Sequence, residues 1–273
     1  MTGEKGRGMA DWAAQSGSGI RFEWGQTGAR RLAVEAACLV VVDVLSFTTA
    51  VSVAVQAGSK VLPFWLPAAT AGAAERAGAE MAAAIYARQS GARLAVAHST
   101  ITPDAPWSLS PAQLRKAPFT DRLVLPSPHC STITAVARPG VPVIAACLRN
   151  ITAVGSWITS HGYGTPARPV AVIAAGEQWP DGSLRPALED LLGAGVLISD
   201  LHAQGAGPLS AEAAAARACG ECTADIPHAI TVSASGRELE ATGFAEDVAI
   251  AIEEDTCTVV PVLDGDGAFA RAR

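Results

Sequence analysis

The chain has 273 residues, 49% hydrophobic and 17% charged, with 20 Lys and Arg against 26 Asp and Glu for a formal net charge of −6. That balance is too apolar for a disordered chain and too interrupted by charge for a membrane-spanning one. An isoelectric point near 5.4 argues against a nucleic-acid binder, which carries a basic stripe.

In chain order, residues 1–20 read as a mobile tail and 21–273 as one α/β domain, since no linker or internal repeat divides them. No apolar leader follows Met1, so a cytoplasmic protein without a membrane or nucleic-acid partner is expected, its six cysteines reduced. Short apolar, β-branched runs at 38–45, 60–64, 93–97, 123–125, 141–146 and 170–174 read as strands covered on both faces. Ala-rich segments at helical spacing alternate with them at 47–57, 68–89, 131–137, 151–161, 187–204, 210–222 and 245–253. The alternation predicts a three-layer α/β/α fold around a mostly parallel or mixed sheet. Loops rich in Pro, Gly or Ser at 98–112, 162–169 and 176–186 adjoin strands, where α/β enzymes place their chemistry.

The common motifs are missing. There is no P-loop, no G-x-G-x-x-G, no H-E-x-x-H and no G-x-S-x-G. Cys219-Gly-Glu-Cys222 is a single C-x-x-C with no second ligand pair, and reads as two ordinary thiols. After Cys130 the next Arg is Arg138, too far for one phosphate cradle, and Leu45 stands where an aspartate-nucleophile phosphatase has its second Asp.

Four places carry chemistry. Asp43 is the one charge in the strongest apolar run, and such a charge is costly unless it is paired or binds a metal. Ser46, Thr48 and Thr49 follow it at a helix start, which suits an anion beside Mg²⁺ or, more plainly, an Asp capping its own turn. Ser127-Pro-His-Cys-Ser-Thr132 offers hydroxyls and His129 at a second helix start, as an oxyanion site or as caps. Arg149 and Asn150 follow a strand, with the Arg placed either to fork onto a phosphate or sulfonate or to pair with a carboxylate. Glu177 ends a strand, and Glu189 and Asp190 open the next helix; with Asp43 they supply oxygens for a hard cation. The acidic residues 246–247 and 253–255 read as a solvated face, and 236–239 as a turn.

At these residues the chain resembles the 2-phosphosulpholactate phosphatase family, Mg²⁺-dependent acid phosphatases of coenzyme M biosynthesis. The family's D-V-L-R-A-T-T stands as Asp43-Val-Leu-Ser-Phe-Thr-Thr49 and its T-x-N-G-T loop as Ser127-Pro-His-Cys-Ser131. Its L-R-N-A-x-A-V reads Leu148-Arg-Asn-Ile-Thr-Ala-Val154. Its A-G-x and E-D-x-x-x-A-G elements read Ala175-Gly-Glu177 and Glu189-Asp-Leu-Leu-Gly-Ala-Gly195, and Gly243-Phe-Ala-Glu-Asp-Val248 with Val260-Pro261 closes the series. The likeness spans about residues 38–262 in order.

The departures are Ser46 at the family's Arg, His129 and Cys130 at its Asn-Gly, and Trp107-Ser-Leu-Ser-Pro111 at its G-N-S-P. The resemblance implies hydrolysis of a phosphate monoester on a small anionic acid, with Mg²⁺ held by Asp43, Glu189 and Asp190. Asp43, Glu177 and Arg149 would be catalytic, and Ser46, Thr48, Thr49, Ser131, Thr132 and Asn150 would bind the substrate. A homo-oligomer is compatible with such a domain. The alternatives are a non-catalytic anion-binding protein on the same scaffold and a phosphatase for a different small phosphoester.

Overall fold

The computed structural model describes residues 12–66, 72–96, 101–127 and 129–272. The strands are β1 (Ile20–Trp24), β2 (Cys38–Val42), β3 (Lys60–Phe64), β4 (Arg93–Leu94), β5 (Arg122–Pro126), β6 (Val143–Ala146), β7 (Val170–Ala174), β8 (Glu177–Gln178), β9 (Leu184–Arg185), β10 (Pro261–Leu263) and β11 (Phe269–Arg271). Nine of them form one mixed sheet in the order β1-β7-β2-β6-β10-β11-β3-β5-β4, and β8 pairs with β9 alone. β1, β7, β2 and β6 run parallel, as do β3, β5 and β4. Between these two blocks the β10–β11 hairpin makes three antiparallel pairings, so the blocks run in opposite directions.

The helices are α1 (Gly25–Leu32), α2 (Phe47–Gln56), α3 (Ala73–Gln89), α4 (Pro111–Lys116), α5 (Cys130–Thr134), α6 (Ile151–Ser160), α7 (Leu188–Ala203), α8 (Ala211–Cys222), α9 (Ile226–Thr231), α10 (Ala234–Ala241) and α11 (Ala245–Ala251). Side chains alternate across the strands, and the alternation sorts the helices into layers. Val40, Val42 and Val172 face α6, α7 and α8 through Val154, Leu197 and Ala213. Leu39 and Val41 of one block and Leu123 and Leu125 of the other share a single core with Leu32, Val51 and Ile133 from α1, α2 and α5. Ala87 of α3 covers Leu62 and Val124 on the outside of the second block. The sheet is therefore curled around α1, α2 and α5, in a three-layer α/β/α arrangement. β5 lies five strand spacings from β2, about 24 Å in a flat sheet. Yet the Cys130 thiol just after β5 is 3.0 Å from the Asp43 carboxylate just after β2.

Several elements differ from the sequence reading. Residues 1–11 of the expected tail lie outside the described residues, but 12–20 are tied down. The Gln15 amide exchanges two hydrogen bonds with the Phe22 backbone. Buried Arg21 donates to the carbonyls of Ser18 and Ala14 and to Glu35. Residues 236–239 lie inside α10, because Ser233 caps that helix by accepting from Gly236 N. The acidic face is not solvated as a whole. Asp247 is buried and accepts from Ser110 and Ala112 N, and Glu253 is shared by Arg115 and Arg149. No helix among the described residues is long and apolar enough to cross a membrane.

Helices α7 and α8 meet at glycines. A Cβ on Gly195 would sit 2.3 Å from the Ala216 carbonyl oxygen, and one on Gly220 would sit 2.9 Å from the Val196 nitrogen. The backbones approach too closely for any side chain. Gly195→Ala should force the helices apart and cost about 1–3 kcal/mol, read as a lower denaturant midpoint at unchanged slope. An unchanged midpoint would show that the contact yields freely.

Candidate active site

Strand β2 ends in a carboxylate because its apolar run stops at Asp43, immediately before α2. Asp43 Oδ1 accepts from Phe47 N at 3.1 Å and so caps α2; Oδ2 accepts from the Cys130 thiol at 3.0 Å. The capping reading and the site reading of Asp43 thus describe the same residue, 8% exposed. Burial, and then the charge of Asp43, push the Cys130 thiol well up. It is a neutral donor to the carboxylate.

Asp190, in the first turn of α7, stitches two strand ends together. Its Oδ1 accepts from Val44 N and its Oδ2 from Gly176 N, both at 2.8 Å. Burial first, then the charges of Asp43 and Glu189, push its carboxyl well up against the pull of those two N–H groups. Glu189 beside it is buried, with the Ser233 hydroxyl 3.3 Å from Oε2. Glu177 opens β8 with Oε2 3.8 Å from His129 Nε2. Burial and the negative charge of Asp43 raise its pKa to about 8. Burial lowers that of His129, which Asp43 only partly offsets. At neutral pH the proton therefore resides on Glu177, and His129 is a neutral imidazole.

Three buried carboxyls, of Asp43, Glu189 and Asp190, and the half-buried one of Glu177 thus gather around the ends of β2 and β7, each of Glu177 and Asp190 feeling the charge of Asp43 and Glu189. A cation would relieve that crowding. No three Asp, Glu, His or Cys side chains among the described residues converge as a metal cage. Mg²⁺ does not need one, since it commonly takes one or two carboxylates and completes its shell with water and phosphate oxygens. The donor set fits an ion of that kind.

The other expected site residues fall in different places. Thr48 and Thr49 are fully buried and donate to the carbonyls of Asp43 and Val44, clipping the turn. Ser131 and Thr132 donate to the carbonyls of Ser127 and His129, and of these two Thr132 lines the cavity. Ser46 precedes α2 without capping it. Arg149 is not brought to the cluster. It is 2% exposed, paired with Glu253, and donates to Gln56 at 2.7 Å toward the far end of α2. Asn150 is wholly buried, accepting from Cys147 N and donating to Ala145 O.

The cavity beside the cluster is about 260 Å³ and is reached by His129, Thr132 and Glu177. Gln178, Gly182 and Leu184 come from the expected 176–186 loop, but the walls from β1, α1 and β3 were not foreseen. Trp24, Gln26 and Thr27 come from the β1–α1 turn, where Gly25 adopts φ +57°, and Trp65 follows β3. An aromatic–Gly–polar turn between a strand and a helix was the available signal.

The raised Glu177 carboxyl couples stability to pH. Unfolded, Glu177 titrates near 4.5, and folded near 8. Between those values the folded chain holds a proton the unfolded chain has lost, so stability falls as pH rises. With its side chain 32% exposed, the full shift is discounted for solvent screening. Glu177→Gln should stabilise the cation-free protein by about 2 kcal/mol near pH 9 and by nothing near pH 4. Thermal unfolding across that range checks it, and a difference independent of pH would contradict it.

The sequence profile of the 2-phosphosulpholactate phosphatase family matches residues 27–266, which include the turn after β2, both strand ends and the start of α7. The chain therefore belongs to the 2-phosphosulpholactate phosphatase family and is, with it, a phosphoric monoester hydrolase.

Proposed function

We propose that the chain catalyses Mg²⁺-dependent hydrolysis of a small phosphate monoester, the reaction its family name assigns to 2-phosphosulpholactate. Water attacks phosphorus, the bond from phosphorus to the alcohol oxygen breaks, and the alcohol leaves with a proton. The observation that carries this reading is the gathering of Asp43, Glu177, Glu189 and Asp190 beside a cavity, with no basic side chain paired to Asp43 or Asp190 among their hydrogen bonds. Asp43 and Asp190 would hold Mg²⁺, with Glu189 behind them. When bound, the ion would neutralise phosphoryl oxygens and acidify water.

The chain's own groups divide the remaining work. Glu177 carries a proton at neutral pH and stands at the cavity wall, placed to give it to the departing alkoxide oxygen. Neutral His129 beside it can take a proton back from solvent and restore it. The thiol of Cys130 and the N–H of Phe47 fix the Asp43 carboxylate. The free cysteines suit a reducing compartment such as the cytoplasm. The test is phosphate release from 2-phosphosulpholactate and a panel of small phosphoesters with Mg²⁺ and with EDTA. Release that EDTA abolishes is expected. Release indifferent to EDTA would remove the metal, and tight phosphate binding without turnover would favour an anion-binding protein.

A further inference from the structure

The alcohol half of the substrate is left open by the phosphatase reading, and the cavity walls bear on it. Trp24, Trp65 and Leu184 supply apolar surface, and Gln26, Thr27 and Gln178 supply uncharged polar groups. Among the described residues no Lys or Arg lines this cavity. The internal segments outside them, 67–71, 97–100 and 128, contain neither residue type. Two arginines that could serve as anion receptors are both engaged, and the second lies away from the cluster. Arg185, paired with Glu177 across the β8–β9 ladder, reaches Glu238 at 3.1 Å. Arg149 faces Glu253 and Gln56.

A sulpholactate ester brings a sulfonate and a carboxylate in addition to its phosphate. A divalent cation at the carboxyl cluster would offset the phosphate, but the two further charges would enter a cavity in which no described residue supplies a cation. Two anionic groups left without a cationic partner in a partly desolvated site disfavour binding. A flat uncharged group meets the opposite situation, because indole faces and a leucine side chain gain from covering it.

We infer that this member of the family takes phosphate monoesters of flat, uncharged alcohols, with the alcohol group against Trp24 and Trp65, in preference to esters of a doubly acidic alcohol. The inference rests on the phosphatase reading and narrows its substrate.

The test compares benzyl phosphate with 2-phosphosulpholactate on the full chain with Mg²⁺; in both, the ester oxygen is carried by a saturated carbon. Benzyl phosphate should show a kcat/KM at least about tenfold higher. Trp65→Ala, at a side chain 45% exposed, should raise KM for benzyl phosphate by about fivefold, a larger effect than on kcat. Gln178→Arg should shift the preference toward 2-phosphosulpholactate by supplying the missing cation. Equal or better turnover of 2-phosphosulpholactate by the unaltered chain overturns the inference and leaves the phosphatase reading standing. An unchanged KM in Trp65→Ala overturns the placement of the alcohol. If the folded protein releases phosphate from neither ester, the phosphatase reading falls and the inference with it.

Discussion

Asp43→Asn is expected to lower phosphate release by on the order of 10³-fold while the protein stays folded. The substitution keeps the shape of the side chain, and the amide oxygen can still accept from Phe47 N as the carboxylate does at 3.1 Å. What it removes is the charge. That charge raises the pKa of Glu177, Asp190 and Cys130, so its loss relieves repulsion in the metal-free protein. Thermal stability without divalent cations should hold or rise while activity collapses. This opposition separates a site residue from a purely capping one, since asparagine preserves the cap and would then leave both stability and function nearly unchanged. Activity within about threefold of the unaltered chain would move the chemistry away from β2.

Asp190→Ala should have the largest effect on stability. Its two oxygens serve Val44 N and Gly176 N, in the turns after β2 and β7, and it is 3% exposed. Alanine leaves both N–H groups buried without a partner, at about 1–3 kcal/mol each, for a total loss of about 2–6 kcal/mol. The carboxyl is already pushed up by burial and by its neighbours, so little electrostatic relief offsets that loss. Activity should fall as well, because the same two turns carry Asp43 and Glu177. Asp190→Asn keeps one acceptor but turns an N–H₂ toward the second donor, and should fall between. Denaturant unfolding of the three proteins orders them. A shift under about 0.5 kcal/mol in Asp190→Ala would mean the turns are held elsewhere.

The strands that carry the cluster were legible because their signal is local. An unbroken run such as 38–42 or 170–174 has to be covered on both faces, and a carboxylate at its end stands out. Glu189 and Asp190 were legible as a first helical turn, although their burial was not. The β1–α1 unit was missed because Ile-Arg-Phe-Glu-Trp alternates and looks like surface. Arg21 is buried only because Glu35 and two carbonyls come to meet it. The hairpin of β10 and β11 is three residues a side, too short for periodicity to register. Arg149 was open between forking onto a phosphate or sulfonate and pairing with a carboxylate, and the resemblance implied the catalytic role. The 3₁₀ turn Leu148–Asn150 instead directs it along α2 to Glu253. The acidic residues 247 and 253 failed for the same reason, since a partner more than a hundred positions away leaves no mark on the local pattern.

The antiparallel hairpin near the end of the chain has a consequence for when activity can arise. Asp43 and Cys130 belong to blocks that are both complete before residue 261 is added, yet β10 and β11 are the strands that join one block to the other. Until the hairpin is inserted, the two blocks meet through the helical core of α1, α2 and α5 and share no strand pairing. The sheet is thus closed only after both blocks have been made. A ribosome-bound chain without those strands would carry every residue of the carboxyl cluster but not the strand pairing between the two blocks. Such dependence on contacts distant in sequence favours all-or-none assembly of the catalytic centre.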